Sequence, residues 1–323
     1  MASSPFLNPA DAARRLGVSA KALRLYEQRG LLLPDRTASG WRAYGPDEMA
    51  RAADIVALRK LGLSLAQVSR VLDGDPADLD AALAAHQSSL EARREDLTTA
   101  IARVRDLRSR IASEGAFTVS ELASLKPPMI AFDLPWPWGG ERFELRERRA
   151  LTWITGPLFS GKTRLAVKLA ETIPAAVFIG VDRTAGDSSR VEADLRWLIE
   201  EGATPSAALN AVLDALAADS VPVFDLIEQG LDEPTQIALA AYLRRRATSA
   251  RPVFAMTRST AMLDLAAVGP DEAILLCPAN HTPPMFVAPY PGAPGYESVA
   301  GCLAPPDVRA RSEGVYAVFP PAA

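Results

Sequence analysis

The chain has 323 residues, of which 49% are hydrophobic and 23% are charged, and its net charge is −4. This length exceeds one ordinary core, so two domains are expected in a composition typical of soluble globular proteins. No apolar run approaches the roughly 18 residues of a membrane span. No secretory leader is visible, and two cysteines form no disulfide framework. We therefore expect a cytoplasmic protein with no membrane partner.

The charge is unevenly distributed along the chain. Residues 1–72 contain 11 Lys and Arg against 6 Asp and Glu, and the remainder contains 24 against 33. A basic segment on an acidic body suits a nucleic-acid reader, because attraction to phosphates is then confined to one face. Chance clustering would give the same imbalance, so charge alone does not decide the function.

Two short helices are predicted near the N-terminus. The second begins with Ser19 as its N-cap and ends at Gly30. Two helices joined by a turn that contains glycine are typical of a helix-turn-helix. The second helix would lie in the major groove of DNA and offer Lys21, Arg24 and Tyr26 to it.

A short hairpin is predicted next, in the stretch LLLPDRTASGWRAYGPDE. Its turn residues are Pro34, Gly40 and Gly45, and its basic and aromatic residues are Arg36, Trp41, Arg42 and Tyr44. Such residues on a hairpin suit a wing that contacts the phosphate backbone. Two more helices, separated at Gly62, complete this part of the chain.

Three segments in order, VSAKALRLYEQRGLL, SGWRAYGPDEM and LRKLGLSLAQVSRVLD, resemble the winged-helix domain of MerR-family regulators. The resemblance covers about seventy residues and implies promoter DNA as the ligand, with RNA polymerase as a partner at the promoter. Together with the helix-turn-helix reading, it gives these predicted DNA-binding residues: Ser19, Lys21, Arg24, Tyr26, Arg36, Arg42 and Tyr44.

A long helix without Gly or Pro is predicted over residues 78–112. Apolar residues recur in it at steps of mostly three, four and seven, which is a heptad seam. They are Leu79, Leu83, Leu90, Leu97, Ile101, Val104, Leu107 and Ile111. MerR-like proteins dimerise through such a helix, so a homodimer through residues 78–112 is expected. His86 falls in this stripe and is interpreted as a seam residue, not a metal ligand.

The stretch GPLFSGKT, residues 156–163, matches the phosphate-binding pattern G-x-x-x-x-G-K-[ST]. It follows the apolar run ALTWIT and precedes a predicted helix, which is the context this pattern requires. Its glycines let backbone N–H groups surround phosphates, while Lys162 neutralises them and Thr163 offers a hydroxyl to Mg²⁺. The predicted nucleotide-binding residues are Gly156, Ser160, Gly161, Lys162, Thr163, Arg164 and Asp225, of which Thr163 and Asp225 serve Mg²⁺.

Predicted strands and helices alternate after this motif, which indicates a parallel sheet with phosphates at its carboxyl edge. Asp225 ends the strand VPVFD and is the natural second carboxylate for Mg²⁺. This half resembles the ABC-type ATPases, and GLDEPTQ fits the spacing of their D-loop. Two departures stand out: Leu226 replaces the family's catalytic Glu, and Arg258 replaces its switch His. The family's LSGGQ signature has no clear match either.

These losses predict little hydrolysis, because groups that position water are missing. Nucleotide binding does not require those groups and is still expected. Glu228 is an alternative base, three residues after Asp225. Adenine stacking by Trp136, Trp138 or Phe143 is weighed against packing of these rings inside a small β-layer.

The segment from 278 to 323 contains 10 prolines in 46 residues, so extended loops are expected there. Cys277, His281 and Cys302 could form a zinc site or a redox pair, or the cysteines could be ordinary buried thiols. The sequence leaves these alternatives open.

The predicted fold is multidomain: an all-α winged helix-turn-helix with a long coiled-coil helix, followed by an α/β P-loop NTPase-like domain. The predicted boundaries are 1–75, 76–113, 114–128 as linker, 129–277, and 278–323 as a Pro-rich extension. The predicted function is transcriptional control with ATP or ADP and Mg²⁺ as effector or structural cofactor. ATP or ADP is favoured over GTP because the sequence shows no guanine-recognition motif. The alternatives are an active ATPase or kinase targeted to DNA, and an obligate partner subunit.

Overall fold

The computed structural model describes residues 6–37, 40–114, 130–146, 149–186, 191–246 and 251–311. The chain divides into two compact units, Met1–Pro127 and Pro128–Ala323. Nearly all of the predicted linker lies outside the described residues. Among the helices that the structure describes, none combines the length and hydropathy needed to cross a membrane.

The N-terminal unit contains the predicted helix-turn-helix and hairpin. Its elements in chain order are α1 (Pro9–Leu16), α2 (Ala20–Gln28), β1 (Asp35–Arg36), β2 (Arg42–Ala43), α3 (Pro46–Lys60), α4 (Leu65–Leu72) and α5 (Leu79–Glu114). Side chains cap three helix starts, because Asn8, Ser19 and Ser64 each accept a backbone N–H two or three residues into the helix. Apolar residues from α1 to α4 pack into one small core.

Helix α5 is continuous over 36 residues and extends slightly past the predicted 78–112. Five of the predicted seam residues are exposed within one chain: Leu83, Leu90, Leu97, Ile101 and Val104. A stripe of exposed apolar side chains on one long helix needs a covering surface. Pairing of two such helices stays a prediction.

The C-terminal unit is a three-layer α/β structure. A hairpin of β3 (Ile130–Asp133) and β4 (Arg142–Leu145) comes first. The main elements follow in this order: β5 (Leu151–Thr155), α6 (Lys162–Thr172), β6 (Ala176–Ile179), α7 (Glu192–Glu201), α8 (Ala207–Ala217), β7 (Val221–Phe224), α9 (Glu233–Arg246), β8 (Val253–Met256), β9 (Glu272–Leu276), β10 (Met285–Val287), α10 (Tyr296–Cys302) and α11 (Pro306–Ala310).

The six-stranded sheet has the order β10-β9-β5-β8-β7-β6. All its strands are parallel except β10, which is antiparallel to β9. Alternate residues of each strand face opposite sides, so Val223 packs with α6 and the β3–β4 hairpin, whereas Phe224 packs with α7, α8 and α9. The sheet is therefore buried on both faces, as the predicted alternation of strands and helices requires.

The predicted boundary at residue 277 is wrong. Strand β10 lies beyond it and pairs with β9 in the main sheet. Val287 of β10 and Val299 of α10 are buried in the core that faces α7, α8 and α9. The prolines lie in the connections, while the short apolar run MFV between them is long enough to add an edge strand. Residues 278–311 thus belong to the α/β unit.

Candidate functional sites

Residues 156–163 form the glycine loop that joins β5 to α6 at the carboxyl edge of the sheet, and the last two of them are the first residues of α6. Gly156 has φ 152°, and a Cβ there would lie 2.3 Å from the carbonyl oxygen of Cys277. Gly161 has φ 87°, and a Cβ there would lie 2.6 Å from the Trp138 ring. Both positions therefore require glycine, which lets the backbone curl tightly in front of α6.

This loop presents unpaired donors and a buried cation. In the described part of the chain, the N–H groups of Gly161, Lys162 and Thr163 meet no protein acceptor. The Nζ of Lys162 donates to the Pro157 carbonyl at 2.6 Å and lies 3.5 Å from the Ser160 Oγ. Burial lowers the pKa of Lys162. Free N–H groups at a helix start beside a buried ammonium suit an anion.

Asp225 lies directly after β7, and in the sheet a single strand, β8, separates β7 from β5. Its Oδ2 accepts a hydrogen bond from the Thr163 Oγ1 at 3.0 Å, which joins two residues that are 62 positions apart. Its Oδ1 is buried without a hydrogen-bond partner among the described residues. Burial raises the pKa of Asp225. A hydroxyl beside a carboxylate with one unused oxygen fits the oxygen ligands that Mg²⁺ prefers.

The three aromatic candidates for stacking separate into two groups. Trp138 and Phe143 are each 5% exposed and pack in the β3–β4 core, so the packing interpretation holds for them. Trp136 is 65% exposed, and the Arg164 guanidinium lies over its ring at 5.6 Å. Because Arg164 is in the first turn of α6, the exposed ring of Trp136 lies beside the loop.

The environment of Glu228 argues against its alternative role as a base. Its side chain is 2% exposed, and its Oε1 accepts the backbone N–H of Arg258 at 3.0 Å. The same carboxylate forms an ion pair with Arg309 of α11. A buried carboxylate that already binds a guanidinium and a backbone N–H is poorly placed to take a proton from a substrate water.

Arg183 is a component of this edge that no motif indicated. It follows β6, and its guanidinium donates to the carbonyl oxygen of Gly180 just after that strand. It also donates to four carbonyl oxygens of the turn after β7, those of Asp225, Leu226, Ile227 and Gln229. This fixes the turn that carries Asp225, in which Leu226 has a positive φ of 41°. The only signal in the sequence was a basic residue after an apolar run.

Cys277, Cys302 and His281 are separate from one another in their bonding. Cys277 is a free, buried thiol, and burial raises its pKa to about 12. Cys302 is also a free thiol. The His281 Nε2 lies 3.1 Å from the Phe159 carbonyl oxygen. Within the described ranges, no group of three His, Cys, Asp or Glu side chains is arranged to hold a metal ion.

In the N-terminal unit, the basic residues predicted to bind DNA differ in their exposure. Arg24 on α2 and Arg36 on β1 are exposed, and Lys21 is half-buried. The Nη1 of Arg36 donates to the Gly40 carbonyl at 3.1 Å, which holds the guanidinium beside the hairpin turn. Ser19 is buried, and its Oγ accepts the Ala22 N–H at 3.1 Å, so its role is to cap α2.

The two predicted DNA-contacting tyrosines are instead core residues. Tyr26 is 5% exposed and Tyr44 is fully buried, and both belong to the core of this unit. The Tyr44 hydroxyl donates to Glu27, and burial together with this bond raises the tyrosine pKa. Arg42 is partly exposed and pairs with the same Glu27 carboxylate at 2.5 Å. Arg42 therefore has a structural contact that its sequence pattern did not indicate.

Comparison with known proteins places the N-terminal unit. Residues 7–75 match the MerR HTH family of regulatory proteins. An uncharacterized HTH-type transcriptional regulator of Pseudomonas aeruginosa, PA4778, is 34% identical over 108 residues, which are 31% of this chain and 82% of that protein. The chain belongs to the MerR HTH family.

The MerR match covers α1 to α4, and the α/β unit lies outside it. The transcriptional regulator BrlR of Pseudomonas aeruginosa is 35% identical over 125 residues, which are 33% of this chain and 46% of BrlR. The chain thus spans about half the length of that relative. A crystal structure of a MerR family regulator from Bacillus cereus covers 37% of this chain and 92% of its own, with 22% identity and a TM-score of 0.26.

Proposed function

We propose that this MerR-type regulator binds promoter DNA as a homodimer, with RNA polymerase as its partner there, and binds ATP or ADP with Mg²⁺ in its α/β unit. The observation that carries the nucleotide proposal is the hydrogen bond between Thr163 and Asp225, beside the buried Lys162. The nucleotide acts as an effector or structural cofactor, with weak or no hydrolysis.

Family membership and surface charge support the DNA proposal. Arg24 and Arg36 are exposed on α2 and the hairpin, the two elements that a winged helix presents to a groove and to the backbone. The exposed stripe on α5 supports pairing of two chains. Two N-terminal units related by a two-fold axis would bind a pseudo-palindromic DNA site.

Three features support the nucleotide proposal. The glycine loop leaves N–H groups without acceptors, a buried ammonium faces the loop, and a carboxylate oxygen beside Thr163 is unsatisfied. Ligands of open α/β sheets bind at the carboxyl ends of strands, where the strand order reverses. Here that reversal lies at β5, which is followed in sequence by the distant strand β6. The resemblance to ABC-type ATPases implies the same location.

Slow turnover follows from the surroundings of Asp225. Leu226 follows it directly, and the carboxylate of Glu228 is already held by Arg309 and the Arg258 N–H. Phosphate and Mg²⁺ binding require neither a general base nor a histidine. The ATPase or kinase alternative predicts phosphate release or transfer by the purified protein instead.

Calorimetry with ATP and Mg²⁺ tests the nucleotide site. We expect Lys162→Ala to lower the affinity by about 100-fold or more, because it removes a buried charge that faces phosphates. Lys168→Ala is the matched control, since this partly exposed lysine on the same helix pairs with the neighbouring Glu171 at 3.1 Å. Equal affinities of the wild type and Lys162→Ala would refute the site.

DNA titration tests the link between the two activities. The same DNA is titrated without nucleotide and with ADP, ATP or a non-hydrolysable ATP analogue, while phosphate release is followed. Allosteric couplings are typically roughly 5- to 150-fold in affinity, so we expect a change in this range with ATP and an equal change with the analogue. Identical affinities in all four conditions would make the nucleotide structural, and an effect of hydrolysable ATP alone would favour the enzyme alternative.

A further inference from the structure

Unsatisfied polar atoms are concentrated at the carboxyl edge of the sheet. Among the residues that the structure describes, eight buried side-chain polar atoms lack a hydrogen-bond partner, and five of them belong to this edge. These five are Thr155 Oγ1, Arg183 Nε, Asp225 Oδ1, Glu228 Oε2 and Arg258 Nε. Each such atom is costly to bury without a partner. The two arginine Nε atoms are donors and suit an anion, whereas the two carboxylate oxygens are acceptors and suit a cation such as Mg²⁺.

The charges at this edge do not balance. Lys162, Arg183, Arg258 and Arg309 all lie close enough to Asp225 or Glu228 to interact electrostatically with them. Against these two carboxylates, the four cations leave the edge positively charged in a partly buried region. Partly buried positive charge is unfavourable without a counter-ion, so this edge suits an anion of more than one charge.

Arg258 differs from the other three cations in its hydrogen bonds with the described residues. It gives Glu228 only its backbone N–H, at 3.0 Å. The carboxylate of Glu228 is paired instead with the guanidinium of Arg309. The Arg258 guanidinium accordingly makes no hydrogen bond with the described residues, and its Nε is buried. Burial lowers the pKa of Arg258, yet arginine keeps its charge in proteins.

The position of Arg258 points to the far end of a bound triphosphate. It lies two residues after β8, and β8 separates the loop strand β5 from β7 with its Asp225. Its charge interacts with both Lys162 and Asp225. The lysine of a phosphate-binding loop reaches the outer phosphates, so a second cation beside it faces the same end of the nucleotide.

We propose that Arg258 binds the terminal phosphate of ATP and makes this site prefer ATP over ADP. The inference rests on the proposed nucleotide site and adds its selectivity. The phosphate oxygens would accept hydrogen bonds from the fork of N–H donors on Arg258, including its Nε, and their negative charge would offset the positive charge of the edge. Because the group binds a phosphate and moves no proton, Arg258 is a binding residue of the site, not a catalytic one.

Calorimetry with ADP and with a non-hydrolysable ATP analogue, both with Mg²⁺, tests the selectivity. We expect the wild type to bind the analogue at least about 10-fold more tightly than ADP. Arg258→Gln should weaken the analogue by roughly 10- to 100-fold, the size of a charge-assisted hydrogen bond, and ADP by less than about twofold. Arg258→Lys, which keeps the charge, should recover part of the loss. Arg196→Gln, an exposed arginine on α7, controls for net charge.

The outcomes separate this inference from the proposed site. If the wild type binds both nucleotides but with equal affinity, or if Arg258→Gln weakens both equally, the inference is refuted and the site stands. If the wild type binds neither nucleotide, the proposed function fails and the inference fails with it. The wild-type comparison holds even if Arg258→Gln does not fold.

Discussion

The two units hold their positive charges in different ways. In the N-terminal unit, Arg24 and Arg36 are exposed on a small domain with its own core. In the C-terminal unit, Lys162 is buried and Arg183 and Arg258 are partly buried at the edge of the sheet, among unsatisfied atoms. Exposed charges suit a large polyanion that lies across a surface, whereas buried ones suit a small anion enclosed by the protein.

This difference has a measurable consequence in salt. Interactions between exposed charges are screened beyond about 8–10 Å at ordinary ionic strength, and buried pairs are screened much less. Binding of DNA by the N-terminal unit should therefore weaken steeply with added salt. Nucleotide binding by the other unit should change little over the same range. The following predictions test each side of this contrast, beginning with the largest expected effect.

The first prediction asks whether the DNA-binding surface works only in pairs. Leu97→Glu with Ile101→Glu places two charges on the exposed stripe of α5, where the side chains are 64% and 51% exposed in one chain. We expect a monomer in native mass spectrometry and a loss of DNA affinity of about 100-fold or more, because each head then binds alone. Ala102→Glu, off the stripe, should leave a dimer. A double variant that remains dimeric would contradict the seam.

The second prediction concerns the glycine loop of the other unit. Gly156→Ala would bring a Cβ within 2.3 Å of the Cys277 carbonyl oxygen, so the backbone must move. We expect a loss of more than about 2 kcal/mol in the free energy of unfolding of this unit, and weaker ATP binding. Gly301→Ala is the control, because nothing lies within 4 Å of its added Cβ in α10. Denaturant titration of both variants measures the difference, and equal stabilities would contradict the close approach.

The third prediction separates contact with DNA from support of the fold. Arg24→Ala should lower affinity for the specific site by about 10-fold and relax the preference over other sequences, without a change in stability. Tyr44→Phe should lower stability by about 1 kcal/mol through the lost bond to Glu27, with DNA affinity within about twofold. Arg42→Ala combines both effects, because Arg42 also pairs with Glu27. Salt-dependent DNA titrations and thermal unfolding measure them. Strongly weakened DNA binding by a stable Tyr44→Phe would restore the tyrosine as a contact.

The same contrast explains what the sequence could reveal. Helix ends, the loop of residues 156–163 and Asp225 follow from local patterns, since caps, glycines and apolar runs act over a few residues. Tyr26 and Tyr44 are buried, which their pattern does not indicate, because contact with DNA and packing in a core use the same residue types. The outcome depends on long-range burial, which no short pattern contains.

Long-range contacts also explain what was missed at the sheet edge. Arg183 reaches carbonyls more than 40 positions away, and Arg309 pairs with Glu228 across 81 positions. Neither arginine lies in a motif, and both depend on how the connections fold. The strand β10 was missed for a related reason, because the many prolines near it outweighed three apolar residues.

The last prediction concerns pH and Asp225, where the expected effects are smallest. Burial raises the pKa of Asp225 above the ordinary value of about 3.9, so its carboxylate takes up a proton at a higher pH than an exposed aspartate. Mg²⁺ competes with that proton. As pH falls through the raised pKa, the preference for nucleotide with Mg²⁺ over nucleotide without it should fall from about tenfold toward one.

The same shift has the opposite sign for the stability of the nucleotide-free chain. Between the ordinary and the raised pKa the folded state holds a proton that the unfolded state has lost, so stability from this group falls as pH rises. Asp225→Asn, which cannot ionise, should remove both the Mg²⁺ preference and its pH dependence, and should unfold at a higher temperature than the wild type at pH 7. Asp219→Asn, on an exposed aspartate before β7, should change neither property. If Asp225→Asn kept the Mg²⁺ preference, the carboxylate would have no role in the metal site, and the bond from Thr163 would be purely structural.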